Sequence, residues 1–488
     1  MLLLGIDIGT SSIKVSVIDA STQKVIVSAQ YPEQESPITS KNPGWAEQSP
    51  EMWWEHVLLA FAQCKTNKSF RPGDISAIGI AYQMHGLVLV DKDQKPLRDS
   101  IIWCDSRAVE IGNTAFEALG HDYCLSHLLN SPGNFTASKL SWVKLYEPEL
   151  YSKIYKVMLP GDFISMKLTS EITTSVSALS EGVFWDFQTN TLSAKLMDYY
   201  GFDPEIIPEI RPVFSEHGRV SQSIAQLTGL AEGTPVTYKS GDQPNNALSL
   251  NVLKPGEVAA TAGTSGVIYG VSDQLTSDPQ SRINTFAHVN HTEEEKRLGI
   301  LLCINGTGSL NRWTKNMFGS GSSYAQMNNE GKKIDIGSQG LRILPFGNGA
   351  ERMLNNRLIG AHLHHIDLNL HTQAHIFRAV QEGIAFAFRY GLDIMRSNNL
   401  EPTVIRAGKA NLFLSDLFLE AFVNSTGVPV ELYDNDGSTG AAIGAGIGSG
   451  IYADPADAFN NIKPIQLVEP ELKHRYEPIY QDWLTYLK

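Results

Sequence analysis

Short apolar runs closed by glycine and hydroxyl residues recur along this chain, and two of them are near copies. Leu2-Leu3-Leu4-Gly5-Ile6 predicts a buried strand, and Ile13-Lys14-Val15-Ser16-Val17-Ile18-Asp19 predicts its return, with Gly9-Thr10-Ser11 at the tip of the hairpin. The stretch from Ala259 to Gly266 repeats the design, laying Gly263-Thr264-Ser265 over Gly9-Thr10-Ser11 at an offset of 254 residues. The match continues with Val17-Ile18-Asp19 over Val271-Ser272-Asp273. A glycine at such a tip lets backbone amides approach an oxyanion, and successive N–H groups there form an anion nest. For either copy alone a plain hairpin turn is the better account. The pair at half-chain spacing favours two related halves that grip phosphate. The copies differ where Asp7 falls on Thr261. A carboxylate beside phosphate requires a cation between them, so Asp7 is expected to hold magnesium through water.

Further strands are predicted at 75–81, 87–90, 234–239 and 403–406, and an amphipathic helix opens at Pro50 with Ser49 as its N-cap. A helix is expected from about Asn245, a long one from about Thr372 to Met395, and another from near Leu412. The small-residue run Gly440–Gly448 is too short for a membrane helix and reads as a closely packed buried one. These elements divide the chain into an N-terminal domain (1–240), a C-terminal domain (241–465) and a tail (466–488). The tail carries Tyr476, Tyr480, Trp483 and Tyr486 and is expected to pack back on the body.

Composition narrows the function. The chain has 488 residues, 42% hydrophobic and 19% charged, enough for two or three ordinary globular domains. A net charge of −13 argues against a nucleic-acid footprint, which is basic. Cys64, Cys104, Cys124 and Cys303 form no C-x-x-C pair and fit a reducing cytoplasm. Neither a signal peptide nor a membrane-length apolar run is apparent.

Several constellations carry candidate chemistry. Asp242 follows a predicted strand and Gly241, which puts a carboxylate in a loop at a strand's C-terminal end, where α/β proteins place ligands. It suits the base that phosphoryl transfer to an alcohol needs, or it caps the next helix. Gln83-Met84-His85-Gly86 offers an amide, a thioether and an imidazole for a polyol, or a core histidine in a turn. Trp103-Cys104-Asp105-Ser106-Arg107 offers a ring face and a carboxylate for a sugar, or an ordinary interdomain salt bridge. Ala407-Gly408-Lys409-Ala410-Asn411 offers a turn against which a nucleoside can lie. Lys14 adds charge to the first phosphate loop. His362, His364 and His365 lack companion ligands at a recognised metal spacing.

Together these residues resemble the FGGY family of carbohydrate kinases over essentially the whole chain. The motifs are Gly5-Ile6-Asp7-Ile8-Gly9-Thr10-Ser11, Trp45-Ala46-Glu47-Gln48 with Trp53-Trp54, Gln83-Met84-His85-Gly86, Trp103-Cys104-Asp105-Ser106-Arg107, Gly241-Asp242 and Gly263-Thr264-Ser265. The resemblance implies an α/β fold of two duplicated ribonuclease H-like domains of the actin/hexokinase/Hsp70-like ATPase type, with an interdomain cleft that closes on the sugar and excludes water. It implies Asp242 as catalytic base and Asp7 as the magnesium residue. Gln83, Met84, His85, Trp103 and Asp105 would form the sugar pocket. Thr10, Ser11, Lys14, Gly263, Thr264, Ser265, Gly408, Lys409 and Asn411 would bind ATP. Met84-His85 is similar to the signature of members that phosphorylate D-xylulose on its 5-hydroxyl. The chain departs from the family at Ala407-Gly408-Lys409-Ala410, where a glycine-rich turn is usual, and at Gly349-Ala350-Glu351-Arg352-Met353, which replaces a Gly-Glu-Arg-x-Pro segment. Partners are then a sugar and ATP, with no nucleic acid or membrane, and a homodimer is common in the family. The alternatives are a kinase of ribulose, glycerol or xylitol, and an actin- or Hsp70-like ATPase switch acting on protein partners.

Overall fold

The computed structural model describes residues 1–319, 321–434 and 436–487. It divides into two compact units that are discontinuous in sequence. Unit one comprises Met1–Asn251, Phe286–Leu298 and Asn435–Lys463, and unit two comprises Val252–Thr285, Gly299–Asp434 and Pro464–Lys488.

Unit one is built on a sheet of β1 (Leu2–Ile8), β2 (Ile13–Asp19), β3 (Val25–Tyr31), β4 (Ile75–Tyr82) and β5 (Val236–Gly241), in the order β3-β2-β1-β4-β5. The first three are antiparallel neighbours, whereas β4 and β5 run parallel to β1 and to each other. β1 and β4 read as nearly unbroken apolar runs because both of their faces are covered. On one face lies the Pro50–Thr66 helix, whose Ser49 cap accepts the Met52 amide as expected and which buries Trp53, Val57 and Phe61. On the other lies the Gly437–Gly448 helix, almost wholly buried. Two glycines face each other in register across β1 and β4, Gly5 and Gly79. A methyl group on Gly5 would stand 1.8 Å from the Ser438 carbonyl oxygen, and one on Gly79 would stand 1.9 Å from that of Ala441. Backbone therefore packs directly on backbone, which is the structural use of the small-residue run.

Unit two repeats the plan. Its sheet contains β6 (Glu257–Ala262), β7 (Gly266–Ser272), β8 (Leu298–Ile304), β9 (Val404–Gly408), β10 (Val430–Tyr433) and β11 (Gln466–Val468), in the order β8-β7-β6-β9-β10-β11. β6 and β7 form the second hairpin, and β9 is parallel to both β6 and β10. Five neighbouring strands of each sheet, β3-β2-β1-β4-β5 and β8-β7-β6-β9-β10, thus share one ordering, the duplicated ribonuclease H-like pattern expected. The long helix spans Gln373–Ser397. The C-terminal segment forms the Lys473–Leu484 helix, which sinks Tyr476, Tyr480 and Trp483 into this unit's core. Trp483 is fully buried and donates its indole N–H to the Ile343 carbonyl at 2.8 Å.

Two local expectations are corrected. The helix expected from Asn245 starts at Asp242, immediately after β5, so Asp242 stands at the first position of a helix and not in a loop. Pro244 marks no break because the first helical turn has no use for its missing N–H. The helix expected near Leu412 begins at Asp416 with Ser415 as its cap, after a short 3-10 turn over Asn411–Leu414.

Candidate active site

The residues read from the sequence fall into two groups, one in each unit. In unit one the hairpin tip closes through the Gly9 amide on the Ser12 carbonyl at 3.1 Å. Asp7, at the end of β1, pairs across the hairpin with Lys14. Lys14 reaches Asp436 at 2.6 Å, and Asp436 in turn caps the Gly437–Gly448 helix by accepting the Thr439 amide. Asp7 lies against the start of that helix, since a methyl group on Gly437 would fall 2.2 Å from its Oδ2. Burial, and then the charge of Asp436, push the Asp7 carboxyl up to about 6 although Lys14 pulls it down. The Asp242 carboxyl is pushed up to about 7, first by burial and then by Asp7, against the Gln243 hydrogen bonds that favour its charged form. Three carboxylates thus crowd one end of the sheet with Lys14 on Asp436. Asp7 and Asp242, both held above the usual carboxylate range, form a pair of the kind a hard divalent cation takes while keeping its waters, whereas burial of Asp436 is outweighed by hydrogen bonds from Lys14 and Ser438, which hold it below that range. Asp436 was missed by the sequence reading, because its partner lies 422 residues away.

The sugar-type residues gather in the same unit. Met84 is buried against Gly241, where an added methyl group would stand 2.6 Å from its Cγ. His85 adopts a left-handed backbone (φ 61°), and its ring packs against Phe135 and Phe286 at centroid distances of 4.9 and 5.4 Å. Its Nδ1 lies 3.1 Å from the Glu181 carbonyl, and a carbonyl only accepts, so Nδ1 carries the proton. In the neutral ring Nε2 is then an acceptor, suited to a hydroxyl. The buried Lys139 ammonium holds the carbonyls of His85 (2.8 Å) and Ile102 (3.1 Å), joining the turn at residues 83–86 to the segment that leads into Trp103. Burial brings Lys139 down to about 7. Trp103 is about half exposed and donates to Thr10 Oγ1 at 2.9 Å, and that hydroxyl donates to Gln83 at 3.1 Å. Thr10 is therefore engaged with the sugar-type segments, while Ser11 is exposed at the tip. Asp105 differs from the rest. It is fully buried, with both oxygens taken by Arg107 and one also by the Ala46 amide, a local salt bridge within unit one and not an interdomain one.

In unit two, Gly263 and Thr264 line a cavity of about 410 Å³ together with Gly308, Asn311, Arg312, Tyr324 and Asn411. The hairpin tip is tied down by its carbonyls. Thr307 Oγ1 and the Gly308 amide donate to the Gly263 carbonyl at 3.1 and 3.0 Å. Glu351 braces the preceding turn by accepting the Asn305 and Gly306 amides at 3.0 to 3.2 Å, and burial pushes its carboxyl up to about 7. Asn411 borders Gly263, 3.6 Å from where a methyl group would project. Gly408 ends β9, and Lys409 is exposed, its amide bonded to the Tyr433 carbonyl at 2.8 Å. Elsewhere His362 bonds the Ile359 carbonyl and His365 the Tyr486 hydroxyl. Among the described residues no group of three or more His, Cys, Asp or Glu side chains is arranged to hold a metal ion. No helix among them is long and apolar enough to cross a membrane.

Unit one thus pairs a carboxylate with the turn at residues 83–86, and unit two, with the same strand ordering, pairs a glycine-hydroxyl hairpin with a cavity, an arrangement suited to phosphoryl transfer to an alcohol. Residues 2–249 match the family model for the FGGY family of carbohydrate kinases, N-terminal domain. The chain belongs to the FGGY family of carbohydrate kinases and has that family's actin/hexokinase-like ATPase fold. It is similar to the xylulose kinase of Haemophilus influenzae (28% identity, covering 99% of both chains) and to that of Bacillus subtilis (28% identity, 92% of this chain and 89% of the relative). Among solved structures it resembles the xylulose kinase from Rhodospirillum rubrum, with a TM-score of 0.87 at 26% identity over 100% of this chain and 98% of that one.

Proposed function

We propose that this kinase transfers the terminal phosphoryl group of ATP to the 5-hydroxyl of D-xylulose. The observation that supports the reading is the packing of Met84 on Gly241, which brings the turn at residues 83–86 beside Asp242. The names of the relatives favour xylulose over glycerol or ribulose. In the reaction Asp242 accepts the hydroxyl proton, and a carboxyl raised to about 7 holds that proton well at neutral pH. His85 Nε2 accepts a sugar hydroxyl, Met84 supplies an apolar wall, and Trp103 covers C–H groups. We assign Asp105 to positioning Arg107 and the Ala46 amide, with no contact to the sugar. Asp7 holds magnesium, whose chemistry is neutralisation of phosphate charge. The Gly263-Thr264-Ser265 hairpin and its cavity take the nucleotide, with Asn411 at the border. The reading includes a cytoplasmic enzyme, and the homodimer common in the family is the assembly to test for.

The test is Asp242→Asn, assayed by ADP release with D-xylulose, D-ribulose, L-xylulose, xylitol and glycerol. Turnover with D-xylulose should fall by about 10²–10⁴, the usual contribution of a positioned base, while calorimetry still shows sugar binding. Turnover within about threefold of the parent would remove Asp242 as the base. A parent enzyme stimulated by another polyol alone would move the substrate.

A further inference from the structure

Glu181 ends the Val176–Glu181 helix and is buried, 1% exposed. Its Oε1 accepts the His85 amide at 3.1 Å, and its main-chain carbonyl accepts a hydrogen bond from His85 Nδ1 at 3.1 Å. One residue therefore holds both the backbone and the ring of His85. The backbone it holds is left-handed, a conformation that a non-glycine residue keeps only when its surroundings enforce it. Its Oε2 has no hydrogen-bond partner among the described residues and sits 2.7 Å from where a methyl group on Gly241 would project. The carboxyl thus spans from the sugar-recognition turn to the residue before Asp242. The helix that carries it is anchored at a third place. Ser177 Oγ donates to the Ala287 carbonyl, and Ser180 Oγ accepts the Ala287 amide, both at 2.9 Å. Ala287 follows Phe286, whose ring walls His85.

We infer that Glu181 is a positioning residue for sugar recognition, fixing His85 and setting it against the Gly241–Asp242 junction. The inference rests on reading His85 as a sugar contact. Burial, and then the neighbouring charges of Asp242 and Asp162, hold the Glu181 carboxyl well above the usual range although the His85 amide pulls it down.

The experiment compares Glu181→Ala and Glu181→Gln with the parent, measuring KM separately for D-xylulose and ATP. Glu181→Ala should raise the sugar KM by about ten- to a hundredfold, the effect of leaving a buried amide unpaired, with the ATP KM within about twofold. Glu181→Gln, which keeps an acceptor for the His85 amide, should restore the sugar KM to within about threefold. An unchanged sugar KM in Glu181→Ala would overturn the inference, as would equal rises in both constants or a glutamine variant no better than alanine. Nitrogen-15 NMR of histidine-labelled parent enzyme, with His85→Gln for assignment, stands apart from folding of the variants and from the choice of sugar. A neutral His85 protonated on Nδ1 agrees with the inference, and protonation on Nε2 alone overturns it. If the Nδ1 tautomer is found but D-xylulose is not phosphorylated, it is the substrate reading that fails.

Discussion

Gly79→Ala converts the contact between the central sheet of unit one and the Gly437–Gly448 helix into a measurable quantity. The new methyl group would stand 1.9 Å from the Ala441 carbonyl oxygen and 2.7 Å from its carbon. Ordinary non-bonded contact needs about 3.5 Å, so the helix has to retreat by roughly 1.5 Å. The obstacle is backbone on both sides, and no side chain can rotate away. Overpacking costs about 1–3 kcal/mol where side chains yield, and here the upper end or more is expected, about 3 kcal/mol. The retreat also reaches the site, because the same helix carries the Asp436 cap that meets Lys14 at 2.6 Å. The assay is urea unfolding followed by circular dichroism, with Gly73→Ala as control, whose methyl group would meet nothing nearer than 4.0 Å. The control should change stability by less than about 1 kcal/mol. If Gly79→Ala matched the control in midpoint and retained full turnover, backbone-on-backbone packing would not be what seats this helix.

Two further outcomes follow from unit two. Glu351, raised to about 7 from an ordinary 4.5, binds its proton more tightly folded than unfolded, so its stabilising contribution is present below pH 4.5 and is lost as pH rises through 7. The stability of the parent relative to Glu351→Gln should therefore fall by about 2 kcal/mol between pH 5.5 and 8, read from urea midpoints, and a flat difference would refute the shift. Trp483→Ala should cost about 3–5 kcal/mol by loss of a fully buried ring and its bond to Ile343, whereas a loss under about 1 kcal/mol would mean that the C-terminal helix is loosely held.

What was legible in the sequence was what is local. Both hairpins, the Ser49 cap and the long helix depend on apolar spacing and turn residues within a dozen positions. Asp242 was singled out by the glycine and strand before it, although Pro244 hid the helix that begins there. Lys139, Glu181 and Asp436 gave no local signal. Each is an isolated charged residue until folding brings it to His85 or Lys14, up to 422 residues away. Asp105 shows the converse. Its motif suggested a sugar contact, yet Arg107, two residues on, claims both of its oxygens. The small-residue run announced a buried helix, but nothing within it says which sheet it covers.

That last point bears on how the protein is made. The sheet of unit one is complete once residue 241 has been synthesised, but the helix that seals one of its faces comes only with residues 437–448. Domains emerging from the ribosome commonly fold in order of synthesis. Here the glycine-lined face of β1 and β4 waits, uncovered, for nearly two hundred further residues. A fragment cut at the end of unit one's first segment would keep that face bare, and a nascent chain stalled before residue 437 would present it to chaperones and to aggregation.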